Sequence, residues 1–222
     1  MYHSIAIDGP AGAGKSTIAR QVAKTLGYVY VDTGAMYRAI ALYLLRNNIS
    51  ASDSLAISEA CKEIRIRMNY QEGILHVILN GEDVTPFIRT EAVGNMASAS
   101  SVNRDVRLKL VELQRELADH ENVIMDGRDI GTYVLPDADL KIYLTASPSV
   151  RAKRRFDELS AKHIPCTMEG IEKDIVERDQ RDMTRDFAPL RKAEDAVLVD
   201  TSNMSIEEVV GHILDLAEKI RS

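Results

Sequence analysis

Tryptophan is absent from the 222 residues and phenylalanine occurs only three times. Surfaces that bind unpaired nucleic-acid strands rely on aromatic stacking platforms, and the eight tyrosines are a thin supply for that purpose. Positive charge is also in deficit: 28 Lys and Arg stand against 34 Asp and Glu, a formal net charge of -6. Coating a nucleic acid requires a concentrated basic surface that releases counterions, so the basic residues here must act locally and no nucleic-acid partner is expected. The two cysteines, Cys61 and Cys166, lie far apart and form no paired motif, which fits a reducing compartment and ordinary thiols. His3, His76, His120, His163 and His212 show none of the spacings of metal ligands, so a metal site built by the protein alone is not expected. No apolar run is long enough to span a bilayer, and the N-terminus enters a strand pattern without a basic leader. These absences describe a cytoplasmic protein with no membrane partner. There is no internal repeat, low-complexity tract or obvious linker, and at 45% hydrophobic the chain can bury one substantial core. One domain over residues 1–222, carrying insertions, is expected.

What the chain does have is concentrated in Gly9-Pro10-Ala11-Gly12-Ala13-Gly14-Lys15-Ser16-Thr17. A glycine, four free positions, then Gly, Lys and Ser form a phosphate-cradling P-loop. Ile5 and Ile7 precede it in an apolar run, and Ile18, Val22 and Leu26 follow at helical spacing, so the segment reads as strand, turn and helix. Glycines let the backbone approach phosphate oxygens, and the helix N-terminus adds favourable potential. Lys15 would reach the β and γ phosphates of ATP, and the Ser16 hydroxyl could bind the Mg²⁺ that accompanies it.

Five segments read as parallel strands: 3–8, 28–31, 123–126, 140–145 and 196–200, separated by helical patterns. The alternation calls for an α/β fold, a five-stranded parallel sheet with helices on both faces and ligands beyond the C-terminal strand ends. Asp8, Asp32, Asp126 and Asp200 stand at those ends. The pattern breaks at about 63–91. There Ile64, Ile66 and Met68 alternate, Gln71-Glu72-Gly73 turns, Leu75, Val77 and Leu79 alternate, and Asn80-Gly81 turns again, as in a small antiparallel insert. A second excursion, from Ser147 to about Arg185, carries Arg151, Lys153, Arg154 and Arg155 on one helix and breaks at His163-Ile164-Pro165.

Asp126 follows Val123-Ile124-Met125, so a buried strand delivers a carboxylate that could orient hydrated Mg²⁺. Arg128 and Asp129 follow it directly. In Asp32-Thr33-Gly34-Ala35-Met36-Tyr37-Arg38, Thr33 reads as a helix N-cap with Arg38 about one turn inside. Capping does not explain an arginine near a helix start, where the macrodipole disfavours it, so an anion is expected there. Arg178, Arg181 and Arg185 recur three and four apart among Asp174, Asp179, Asp182 and Asp186. They serve either an ion-paired solvated helix or a phosphate.

Together, the P-loop, Asp32–Arg38, Asp126-Gly127-Arg128-Asp129-Ile130-Gly131-Thr132 and Glu177-Arg178-Asp179-Gln180-Arg181-Asp182 closely resemble the bacterial cytidylate kinases, within the P-loop nucleoside monophosphate kinases. The blocks stand in that family's order over nearly the whole chain, and the antiparallel insert matches its enlarged monophosphate-binding region. The resemblance implies transfer of the ATP γ-phosphoryl group to CMP or dCMP, giving ADP and CDP or dCDP, in pyrimidine nucleotide metabolism. It implies Gly9 to Thr17 as the ATP site, and Lys15, Arg128, Arg178 and Arg185 as the catalytic cations. Thr33, Arg38, Arg128 and Arg185 would hold the acceptor and its phosphate, Arg178 and Asp182 would meet the ribose, and Ser98, Arg107 and Asp129 would read cytosine. The family commonly has Ser where Thr33 stands. A helical lid over about 148–168 would exclude water, and a monomer is expected because both sites fall in one chain. From the residues alone, another small P-loop kinase and an ATP-dependent switch remain open. A GTPase is disfavoured, because no Asn-Lys-x-Asp or Thr-Lys-x-Asp motif occurs.

Overall fold

The computed structural model describes residues 2–71 and 74–221. In chain order the elements are β1 (Ser4–Asp8), α1 (Lys15–Leu26), β2 (Val29–Asp32), α2 (Thr33–Arg46), α3 (Ser54–Glu63), β3 (Ile66–Gln71), β4 (Ile74–Leu79), β5 (Glu82–Asp83), α4 (Glu91–Ser100), α5 (Arg104–His120), β6 (Val123–Gly127), a π turn (Ile130–Val134), β7 (Leu140–Thr145), α6 (Pro148–Ala161), α7 (Met168–Thr184), β8 (Val197–Asp200) and α8 (Ile206–Arg221). The chain divides into two compact units, one of Met1–Val31 with Arg115–Ser222 and one of Asp32–Gln114.

The first unit is organised by a five-stranded sheet in the order β2-β6-β1-β7-β8, flanked by helices. β1 pairs in parallel with β6 on one side and β7 on the other, and β7 pairs in parallel with β8. The apolar runs 3–8, 123–126 and 140–145 are these central strands. Ile5, Ile7, Ile124, Ile142 and Leu144 pack with Ile18 and Val22 of α1 and with Val209 and Ile213 of α8. Each such side chain contributes roughly 1.5–3 kcal/mol through its removal from water. β8 lies at the sheet edge and Leu198 is exposed, unlike the fully buried strand its apolar run suggests. α1 starts at Gly14 and ends at Gly27, both left-handed, with φ of 88° and 70°, a conformation that glycine adopts without a steric cost. α6 and α7 pack against each other around Ala152, Ile171 and Ile175, with Phe156, Leu159, Cys166 and Met168 against them. The break expected at 163–165 is present: α6 ends at Ala161, and His163 has φ of 55°.

The second unit begins with α2, capped not by Thr33 but by Asp32, whose carboxylate accepts the Ala35 amide at 2.9 Å. A carboxylate takes the cap because it meets the helix dipole as a charge, which leaves Thr33 buried as the first helical residue. The insert is an antiparallel three-stranded sheet, β3-β4-β5. Asn80 and Gly81 both have positive φ, 48° and 91°, and Leu79 pairs with Glu82 across them. That is the two-residue hairpin geometry expected of Asn-Gly. Of the other turn, Glu72 and Gly73 lie outside the described residues. Val77 and Leu79 are buried together with Ile64 and Ile66, the alternation of a one-sided sheet. Cys61, in α3, is buried and unpaired, and burial pushes its thiol pKa up.

Candidate active site

β1 delivers the chain into the phosphate loop at Asp8 and Gly9. A Cβ on Gly9, at φ of 147°, would lie 1.9 Å from the Leu144 carbonyl oxygen, so the loop lies directly against β7. Lys15, in the first turn of α1, is buried and donates from Nζ to the Pro10 carbonyl at 2.7 Å. Burial, with Arg128 and Arg178 nearby, holds its ammonium pKa well below the ordinary lysine range, against the pull of Asp126 and Asp8. A cation so placed gains most from an incoming polyanion. The Asp8 carboxylate accepts the amides of Ile130 and Gly131, each at 2.8 Å. Burial nevertheless pushes its pKa up to about 6.

Ser16 Oγ donates to Asp126 Oδ2 at 2.8 Å, and Tyr30 donates from its phenol to the other oxygen, Oδ1, also at 2.8 Å. The sequence reading named Ser16 and Asp126, and the structure brings them together. The hydroxyl and the carboxylate are hard oxygen donors at one point, and Mg²⁺ keeps several waters and needs only one or two such groups beside the phosphates. The residues present therefore fit the ion.

Arg128, in the loop after β6, donates from Nε to Asp182 Oδ2 at 2.8 Å. Arg185, the C-cap of α7, places Nη1 3.7 Å from Asp182 Oδ1 and Nη2 3.4 Å from Asp129 Oδ1. Burial alone would raise the Asp182 pKa, but Arg128, Arg178 and Arg185 outweigh it and hold the carboxyl below its ordinary range. Burial likewise works against the Arg128 charge, and Asp182, Asp126 and Asp179 together more than offset it. The arginines of α7 and of the Asp126–Thr132 block thus meet around one carboxylate. Asp129 is 4% exposed and is paired with Arg185 as well as adjacent to Arg128.

Two groups beside the loop carry no sequence-derived role. Arg151, in α6, donates from Nη1 to the Ala11 carbonyl at 2.8 Å and from Nε to the Ala146 carbonyl at 2.9 Å. Asp179, in α7, accepts the Ala11 amide at 3.2 Å and lies 2.7 Å from Arg151 Nη1. No local pattern marks either role, nor that of Tyr30. The only hint at Arg151 was the crowding of arginines in a segment adjacent to a phosphate loop.

In the second unit, Arg38 lies against Gly34 and Gly94, where added Cβ atoms would come within 3.4 and 3.9 Å of its guanidinium. Asp32, besides capping α2, pairs with Arg89 at 2.5 Å. Ser98 is buried near the end of α4. Arg107, in α5, is 1% exposed, donates to the Ser101 carbonyl at 3.2 Å and sits 5.5 Å from the centre of the Tyr37 ring. α2 and α4 pack together, so within this unit Thr33, Arg38 and Ser98 are carried by one helix pair.

The family model described as cytidylate kinase matches residues 5–219. The chain belongs to the cytidylate kinase family. A cytidylate kinase of Caldicellulosiruptor bescii is 52% identical over 98% of this chain and 96% of its own length. One from Geobacillus sp. (strain WCH70) is 48% identical over 97% and 96%. Among solved structures, an uncharacterized protein from Eubacterium ventriosum matches with a TM-score of 0.57 at 11% identity, over 97% of this chain and 98% of the other. A gluconokinase from Sinorhizobium meliloti matches with a TM-score of 0.50 at 16% identity, over 99% and 94%. Likeness at that identity speaks for the fold only. Among the described residues no helix is long and apolar enough to cross a membrane.

Proposed function

We propose that this cytidylate kinase family member uses the site described above to transfer the γ-phosphoryl group of ATP to CMP or dCMP. The observation that carries this reading is the sharing of buried Asp182 by Arg128 and Arg185, in a unit where Arg128 also acts on Lys15 of the phosphate loop. Cations with places for two anionic partners suit phosphoryl transfer between phosphates better than they suit simple hydrolysis.

On this reading Gly9 to Thr17 bind ATP, and Ser16 with Asp126 hold the Mg²⁺. The ion, when bound, neutralises phosphate charge as it develops. Lys15, Arg128, Arg178 and Arg185 stabilise the transferring group electrostatically. Thr33, Arg38, Arg128 and Arg185 hold the acceptor phosphate, Arg178 and Asp182 the ribose, and Ser98, Arg107 and Asp129 the base. An Asp acceptor complements the cytosine amino group and repels a uracil oxygen, so CMP is favoured over UMP. No general base is required, because a phosphate monoester is largely ionised near neutral pH. The lid falls within about 148–168, and slower hydrogen exchange there with a bisubstrate analogue tests it. The protein acts as a cytoplasmic monomer.

The test is product formation from ATP, Mg²⁺ and CMP, dCMP, UMP, AMP, GMP or shikimate, separated by chromatography, with Lys15→Ala as the control. Diphosphates from CMP and dCMP alone, lost in the control, are the expected result. Equal turnover of UMP removes the base-reading role of Asp129. No product from any acceptor removes the transfer reading.

A further inference from the structure

We infer that Arg151 and Asp179 form a positioning clamp on the phosphate loop, fixing it for ATP from helices α6 and α7. The inference rests on the reading that this loop binds ATP. Ala11 is the third residue of the loop, and both of its backbone groups are taken by the pair. Its amide goes to Asp179 Oδ1 at 3.2 Å and its carbonyl to Arg151 Nη1 at 2.8 Å. The pair is itself joined at 2.7 Å, and Arg151 is anchored to the end of β7 through Ala146. Arg151 is 3% exposed and Asp179 8% exposed, so a broken pair would leave a buried charge behind. A Cβ on Gly12 would approach the Arg151 Cβ to 3.3 Å, which shows how closely α6 lies on the loop.

The carboxylate and guanidinium face the backbone of the loop. Arg151 therefore acts through the loop's shape. Asp179 stands three residues before Asp182 on α7, on the same helical face. One helix thus sets both the loop, through Asp179, and the arginine pair, through Asp182. A second consequence concerns motion: the first turns of α6 are held to the loop, so any mobile part of 148–168 lies beyond them.

The experiment compares Arg151→Met, Arg151→Lys, Asp179→Asn and Asp179→Ala with wild type and with Lys153→Ala, an exposed position on α6 that pairs with Asp157 on the same helix. Asp179→Asn keeps an oxygen for the Ala11 amide, and Arg151→Lys keeps the charge without the two-direction fork. Expected is a rise of about tenfold or more in KM for ATP with KM for CMP within about twofold. Arg151→Met should be the most severe and Lys153→Ala unchanged. Equal rises in both KM values, or no change beyond twofold, overturn the clamp. Backbone amide exchange supplies a readout independent of turnover. The Ala11 amide should be protected in the nucleotide-free wild type, stay largely protected in Asp179→Asn, which keeps the acceptor oxygen, and exchange faster in Asp179→Ala, which removes it. Wild-type protein that lacks kinase activity yet shows this protection separates failure of the transfer reading from failure of the clamp. An unprotected Ala11 amide in wild type removes the clamp even if a variant proves insoluble.

Discussion

Ser16 and Tyr30 donate to opposite oxygens of Asp126, each at 2.8 Å. The first helical turn after the phosphate loop and the neighbouring strand β2 are therefore tied to the end of β6 by one carboxylate. Asp126→Asn should raise the Mg²⁺ concentration needed for half-maximal rate and lower kcat by about tenfold or more. Tyr30→Phe removes one hydrogen bond and should cost about 1 kcal/mol of stability with a smaller effect on Mg²⁺ dependence. Initial rates over a Mg²⁺ titration, together with denaturation midpoints, distinguish the two effects. Identical Mg²⁺ curves for Asp126→Asn and wild type would remove the metal role.

Asp8 gives a pH dependence of unusual sign for a carboxylate. Its pKa is raised from 3.8 to about 6 in the folded protein. Between those values the native state keeps a proton that the unfolded chain has released, so this group makes stability fall as pH rises through that window. The full effect is at most roughly 3 kcal/mol. Asp182, held below its ordinary range by its arginines, works in the opposite direction and loses its contribution on acidification. The contrast of wild type with Asp8→Asn isolates the first group. The fall in urea midpoint from about pH 4.5 to about pH 6.5 should be smaller in the variant.

Lys15 should take up a proton as nucleotide binds. Its pKa is lowered by burial and by Arg128 and Arg178, and phosphate oxygens placed beside it would raise it again. Between the two values the complex holds a proton that the free protein has lost. Calorimetry of ADP binding in buffers of differing ionisation enthalpy should show net uptake that grows as pH rises through the lowered value. Equal uptake in Lys15→Met would assign the proton to another group.

Two glycines of the same loop should respond differently. Gly9→Ala places a Cβ against the Leu144 carbonyl in addition to demanding φ of 147°, and should cost about 3 kcal/mol or more. Gly14→Ala meets nothing within 4 Å and carries only the strain of φ at 88°, about 1–2 kcal/mol. Thermal melting of both variants tests the order, and equal losses would contradict the close approach of the loop to β7.

The strands were legible because central parallel strands are continuous apolar runs, and β1, β6 and β7 are such runs. The Asn80-Gly81 hairpin was legible because its conformation demands those residues. The cap of α2 was not, since Asp32 and Thr33 are adjacent and either side chain can cap; their geometry decides. Of the site, Lys15, Ser16 and Asp126 were legible because each sits beside a motif or strand end. Tyr30 and Asp179 were not: their partners lie 96 and 168 residues away, and no local pattern records a pairing at that range. Arg151 drew attention only as one of several basic residues on α6, with nothing to tell the buried one from its exposed neighbours.

Arg128 and Arg185 are already paired with carboxylates of the chain itself, the first with Asp182 and the second with Asp129 and Asp182. If the acceptor phosphate binds there as proposed, it enters by exchange, displacing carboxylates that are tethered to the same fold. A small inorganic anion brings nothing but charge to that contest. On the proposed reading a nucleotide also brings a sugar and a base, and those further contacts would tip the exchange, so the standing carboxylates would act as a filter against bare anions.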